Sequence, residues 1–208
     1  MRRAGSGDGS DEARNGGMSE GVGEEASADA DLLARIAGQD RRAFTALMRR
    51  HGDRVRGLAL GFSGRTAEAD DIMQDVFLML WRRPGAWQPG GAAFTTWLYR
   101  VVANRCLDQA RRRRLRRWLP FGEAPEPADD APTALAALSG RDRLAAVAVM
   151  IRTLPDRQRM ALLLAVQGGR SNAEIAAILG ISEGAAEQLL VRARRRLRAM
   201  IDEREAGR

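Results

Sequence analysis

"SNAEIAAILGISEGAAEQLLVRARRRLR", residues 171–198, decides how the C-terminal part of the chain folds. Ser171 and Glu174 stand ahead of an apolar run as a capping box, in which hydroxyl and carboxylate satisfy the free amides of a helix start. Ile175 and Leu179 give that helix an inward face, and Ala176 is small enough to let a second helix cross closely. Gly180 can end it in the left-handed conformation that a residue without Cβ adopts freely, and Ser182 can cap the next helix. There Ala186, Leu190, Ala193 and Leu197 fall on one face, leaving Glu183, Glu187, Gln188, Arg192, Arg194 and Arg195 outward. The unit is a helix-turn-helix, whose second helix enters the major groove with its first residues at base edges and its arginines at phosphates. Gln188 suits adenine and Glu187 suits the amino group of cytosine.

Upstream, residues 94–118 read "FTTWLYRVVANRCLDQARRRRLRRW". Apolar residues at helical spacing, Trp97, Val101 and Arg105 or Leu98, Val102 and Leu107, give the first half a buried face. Six arginines among the seven residues 111–117 then cover every side. Such a cluster is expected to meet phosphate or water and not protein. Aromatic rings beside it can stack on an unpaired base, at about 1–3 kcal/mol per contact, and Asn104 can bond a base edge. Taken singly, each aromatic, Trp97 included, reads as core more readily than as a platform. Before this helix, "RPGAWQPGGAA" (83–93) is a loop, and its glycines around Trp87 and Gln88 leave room for an extruded base.

A further helix is expected over Ala67–Arg82, with Ile72, Val76, Phe77, Leu80 and Trp81 inward. Asp71, Gln74, Asp75 and Leu78 lie on another side, either as a solvated face or as a protein-docking one, since carboxylates repel DNA. Leu32, Leu33, Ile36, Phe44, Leu47, Met48, Val55, Leu58 and Leu60 mark helical structure from Asp31 onward. Apolar helices also fit Leu144–Ile151 and Met160–Val166, with Pro155 at the start of the second.

"LPFGEAPEPADDAPT" (119–133) brings four prolines and four carboxylates without a basic residue, which makes a linker. Residues 1–30 lack apolar periodicity and carry three arginines against seven carboxylates, so a disordered acidic tail is expected; Met18 offers an alternative start. The expected organisation is a tail over 1–30, a helical domain over 31–118, a linker over 119–140 and a helix-turn-helix domain over 141–202. No alternating strand pattern occurs, so the fold class is all-α.

The 208 residues carry a net charge of +7, and every basic residue is arginine. With the tail at −4, the rest holds +11, which favours a polyanionic partner. The single cysteine, Cys106, precludes an internal disulfide, fits a reducing cytoplasm and reads as a packing residue. His51, the single histidine, reads as a surface residue, so no metal centre, cofactor site or catalytic nucleophile is expected. No apolar run approaches the length of a membrane span.

Together, "ADDIMQDVFLMLWRR", "FTTWLYRVVANRCLDQARRRR" and "LPDRQRMALLLAVQGGRSNAEIAAILGISEGAAEQLLVRARRRLR" resemble the extracytoplasmic-function, or group IV, sigma factors of bacterial RNA polymerase. The likeness implies a non-enzymatic promoter-specificity subunit with two helical domains. By it, Asp71, Gln74, Asp75 and Leu78 would dock on the clamp helices of the β′ subunit. Trp87, Gln88, Trp97, Arg100 and Asn104 would hold the −10 strand, with Arg111, Arg112, Arg113 and Arg114 on nearby phosphates. The second domain would sit on the β flap and read the −35 element through Ser182, Glu183, Glu187, Gln188, Arg192, Arg194 and Arg195. An anti-sigma factor, often membrane-tethered in this family, would restrain it. The chain departs from the family at Ala185, Ala186, Glu187, Gln188 and Leu189, where Thr-Val-Lys-Ser-Arg is common, so two cations are missing from the recognition surface. Two other functions fit the same residues: a decoy that binds an anti-sigma factor without promoter DNA, and an autonomous two-lobed repressor.

Overall fold

The computed structural model describes residues 27–118 and 141–207, apart from the side chains of 117, 118 and 141–143. The expected linker (119–140) and residues 1–26 of the expected tail lie outside the described residues. Helix α1 covers residues 27–37 and is followed by α2 (Arg41–Ser63), α3 (Thr66–Arg82), a short 3-10 turn (Pro84–Ala86) and α4 (Phe94–Trp118). The second group is α5 (Arg141–Thr153), α6 (Asp156–Val166), α7 (Asn172–Leu179) and α8 (Glu183–Ala206). Among the described residues there is no strand.

The caps lie where the side chains dictate. Asp40 accepts from the amides of Arg42 and Ala43 at the start of α2. At its end Gly64 takes φ +69° and donates its amide to the carbonyl of Leu60, turning the chain sharply into α3. A Cβ there would also collide with the side chain of Arg152. Residues 27–30, expected in the tail, are helical, and Asp29 among them is buried because its carboxylate has partners on α2.

In the first group α2 and α3 pack on each other and α4 lies against both, burying Leu47, Phe62, Phe77, Leu80, Phe94 and Leu98. Full burial of each such side chain contributes about 1.5–3 kcal/mol. The other flank of α4 is covered by α6 and α7, and Met160, Leu163, Leu164, Ile175 and Ile178 continue the same core. The two groups therefore share one apolar interior. A helix between two layers needs apolar residues on two flanks, which is why α4 buries Phe94, Leu98, Val102, Cys106 and Ala110 together with Tyr99 and Ala103. Of the two faces expected from spacing, Leu98 and Val102 are buried with Leu107 half-buried, whereas on the other Arg105 is exposed and Val101 half-buried.

Arginines pin the junction. Arg159 of α6 donates from Nη1 to the carbonyl of Phe62 at 2.8 Å and lies 4.7 Å over that ring. Arg170 lies 4.7 Å over the ring of Tyr99. Arg114 of α4 pairs with Asp156 of α6, and Arg113 pairs with the mostly buried Glu68 of α3 at 2.7 Å. The arginine run was expected to shun protein, and this is corrected: long stems lie along apolar surface while the guanidinium heads find carboxylates. Cys106 is fully buried, and burial, with the charge of Glu68 adding to it, pushes its thiol up to about 12. It is a packing residue.

His51 is likewise not a surface residue. It is 4% exposed, with Nε2 2.9 and 3.0 Å from the two carboxylate oxygens of Asp29. Arg50 donates to the same carboxylate at 2.8 Å. Burial raises the Asp29 carboxyl, but the hydrogen bonds from His51 and Arg50 outweigh it and leave the group below its ordinary value.

Candidate nucleic-acid interface

The helix-turn-helix forms as its residues require. Ser171 Oγ accepts from the Glu174 amide at 3.3 Å while Glu174 Oε2 accepts from the Ser171 amide at 2.9 Å, closing the capping box. Gly180 takes φ 62°, ψ 46°, and Ser182 Oγ accepts from the amide of Ala185 at 3.3 Å. Ala186, Leu190 and Ala193 are buried against α6 and α7, and Leu197 is half-buried. Ser182, Glu183, Glu187, Gln188, Arg192, Arg194 and Arg195 are all exposed along α8. No ion pair engages Arg192, Arg194 or Arg195 among the described residues, so all three guanidinium groups face solvent with their donors free. A shallow apolar groove runs beside them, lined by Ile181, Ala185, Gln188, Leu189 and Arg192, with Arg157 contributed by α6. Arg157 was not foreseen, because spacing within α8 says nothing about a neighbouring helix.

The second surface centres on the start of α4. Phe94, 2% exposed, is a keystone between two half-buried tryptophans. Its ring stacks with Trp97 at 6.0 Å and meets Trp87 edge-on at 5.7 Å. Trp87 also donates Nε1–H to the carbonyl of Ala92 at 2.9 Å, folding the loop 87–93 back on itself. Gln88, Arg100 and Asn104 are exposed. Trp97 has both characters weighed for it: one part packs on the core and the rest meets solvent. Farther along α4, Arg112 is exposed without an ion pair among the described residues, and Arg111 is exposed but bonded to Asp108 at 2.6 Å. Arg113 and Arg114 point to the junction instead, so the four arginines do not form one phosphate-facing cluster. Phe94 was missed in the sequence, although its place directly after the glycine-rich loop was a usable signal.

On α3, Ile72, Val76, Phe77 and Leu80 are buried and Trp81 packs edge-on against Phe44 at 5.2 Å. Asp71, Gln74 and Asp75 are exposed along one strip, and Leu78 is half-buried beside them. Among the described residues, only Asp75 of that strip approaches a cation, Arg105 at 4.0 Å. Among the described residues no helix is long and apolar enough to cross a membrane, and no group of three or more ligating side chains could hold a metal ion.

Comparison with known proteins follows the same division. The family model for sigma-70 region 2 matches residues 47–116, and that for sigma-70 region 4 matches residues 144–197. The chain is 35% identical over 173 residues to the ECF RNA polymerase sigma factor SigM of Mycobacterium tuberculosis, covering 83% of this chain and 84% of that protein. It is 34% identical over 182 residues to the RNA polymerase sigma factor CnrH of Cupriavidus metallidurans, covering 84% and 95%. The structure of CnrH in complex with the cytosolic domain of CnrY aligns with a TM-score of 0.63 at 31% identity, over 85% of this chain and 98% of that one. RpoE from Bartonella quintana, solved with the anti-sigma factor NepR, shares the fold at 24% identity and a TM-score of 0.63, over 76% and 96%. Sigma factors are non-enzymatic initiators of transcription. With regions 2 and 4 both matched, in order, and relatives above 30% identity along most of its length, the chain belongs to the extracytoplasmic-function sigma factors of the sigma-70 family.

Proposed function

We propose that the chain directs RNA polymerase core to particular promoters in the cytoplasm, reading the −35 duplex with α8 and capturing the melted −10 strand at the start of α4. The observation that carries this reading is the presence, on one molecule, of two solvent-facing surfaces with different chemistry. The arginines of α8 without an ion pair among the described residues suit duplex phosphates, whereas the half-buried Trp87 and Trp97 that flank the start of α4 suit an unpaired base. Asp71, Gln74, Asp75 and Leu78 form the contact with the β′ clamp, since an acidic strip beside two DNA surfaces is repelled by the template. The helix-turn-helix group engages the β flap. An anti-sigma factor, membrane-tethered or not, holds the chain inactive, a reading supported by CnrH having been solved with the cytosolic domain of CnrY and RpoE with the anti-sigma factor NepR.

Glu187 favours a second reading. It places a carboxylate on the recognition face where relatives commonly carry a cation, and a decoy that sequesters an anti-sigma factor needs no promoter affinity. Run-off transcription with purified core on a library of upstream sequences separates the two. The initiator reading expects a start site fixed relative to one enriched pair of motifs, and the absence of any transcript would favour the decoy. A gel shift without core addresses the autonomous repressor, which alone binds duplex tightly.

A further inference from the structure

The pair between Asp29 and His51 sits beneath the aromatic stack and belongs to neither DNA surface. Asp29 is 1% exposed and His51 4%. A buried carboxylate persists only when its lone pairs are occupied, and here His51 Nε2 and Arg50 Nη1 occupy them. The imidazole is held at one edge by this bond, and its ring meets Phe94 edge-on at 5.4 Å. Phe94 in turn stacks with Trp97 and meets Trp87 edge-on. A continuous line of packed groups thus runs from α1 through α2 to the two tryptophans. Phe94 is fully enclosed, so a rotation of the imidazole cannot be absorbed by solvent and is passed to the rings above it.

We propose that Asp29 and His51 are positioning residues for −10 strand capture: the carboxylate fixes the imidazole, the imidazole fixes Phe94, and Phe94 sets the orientation of Trp87 and Trp97, on whose exposed parts a base stacks. This rests on the reading of that stack as the strand-binding surface. It adds α1, whose beginning looked like part of a tail, to the apparatus that shapes that surface.

The test uses the full chain bound to core. Asp29→Asn and His51→Gln are compared with the unaltered protein for affinity to a fluorescent single-stranded −10 oligonucleotide, to a −35 duplex and to core. In parallel, the 19F resonances of 5-fluorotryptophan are followed at positions 81, 87, 97 and 118. Each variant is expected to weaken strand capture about three- to tenfold and to move the resonances of Trp87 and Trp97. Affinities for −35 duplex and core should be unchanged, and the double variant should be no weaker than the stronger single one. Arg50→Ala, which removes the outer partner alone, should act in the same direction and more weakly, and it serves if the buried variants fold poorly. Unchanged strand capture with unmoved tryptophan resonances would overturn the proposal, as would an equal loss at all three partners. Failure of the unaltered holoenzyme to capture the strand would instead remove the functional reading, while the resonances still report whether the pair sets the tryptophans.

Discussion

Two arginine runs, Arg111–Arg114 in α4 and Arg192–Arg196 in α8, are hard to tell apart as text and have different surroundings. In α8 the arginines of the recognition face reach into solvent without an ion-pair partner among the described residues. In α4, Arg111, Arg113 and Arg114 meet Asp108, Glu68 and Asp156, and the last two pairs bridge to other helices. An arginine becomes structural when a carboxylate from elsewhere in the chain lies within reach of its long stem, and stays available for phosphate when none does. Arg159 is the extreme case, with a side chain 12% exposed and bonded to Phe62, Leu154 and Asp156.

That ranking can be broken by substitution. Arg159→Ala should cost the most, about 3–5 kcal/mol, because it strands the carbonyl of Phe62 at the junction and leaves Asp156 without its buried partner; chemical denaturation measures it, and a loss under about 1 kcal/mol would contradict the pinning role. Arg113→Ala should follow at about 1–3 kcal/mol, since Glu68 keeps its charge in a largely enclosed position. Replacing both by alanine should also lower the cooperativity between the two helical groups, seen as amides of α6 and α7 exchanging earlier than those of α2.

Ser171→Ala should cost about 1 kcal/mol by opening the capping box. The same box has an acid signature. Burial raises the Glu174 carboxyl, but the Ser171 amide, the Arg170 guanidinium and the Ser171 hydroxyl, which donates to Oε2 at 3.1 Å and is lost in Ser171→Ala, outweigh it and hold the group below its ordinary value of 4.5. A carboxyl depressed in the folded state stabilises above its ordinary value and loses that contribution as pH falls through the folded one. Unfolding followed downward from pH 6 should therefore show a loss beginning near pH 4.5 that is smaller in Ser171→Ala.

Arg192→Ala combined with Arg195→Ala should have the smallest effect on stability, within about 0.5 kcal/mol. On DNA the order reverses. The salt dependence of −35 duplex binding should flatten by about one unit of slope for each arginine removed, whereas Arg113→Ala should leave that slope unchanged. Equal slopes for both would erase the distinction between the runs.

Much of the fold was legible because it is local. The capping box, Gly180 and the Ser182 cap are written within a dozen residues, and the helices α2, α3 and α6 begin or end where proline, glycine or caps place them. The outward set on α8 was legible for the same reason, since one buried face fixes its opposite. Periodicity reports only a helix's own faces, and it stays silent on what a distant residue supplies. Hence Asp29 looked like tail, His51 like surface and Arg113 like a phosphate ligand, because each takes its character from a partner 22 or 45 positions away. The second covered flank of α4 was missed on the same ground: the helices that cover it follow a segment whose length hides which surface they return to.

Fluorescence of 2-aminopurine placed in the −10 non-template strand, read on a promoter complex with the holoenzyme, tests the central claim most directly. Melting and capture at the start of α4 predict a rise in emission as the base unstacks from its neighbours, followed by quenching on Trp97, and Trp97→Ala should keep the rise and abolish the quench. A signal that is the same with tryptophan or alanine at position 97 would contradict the account.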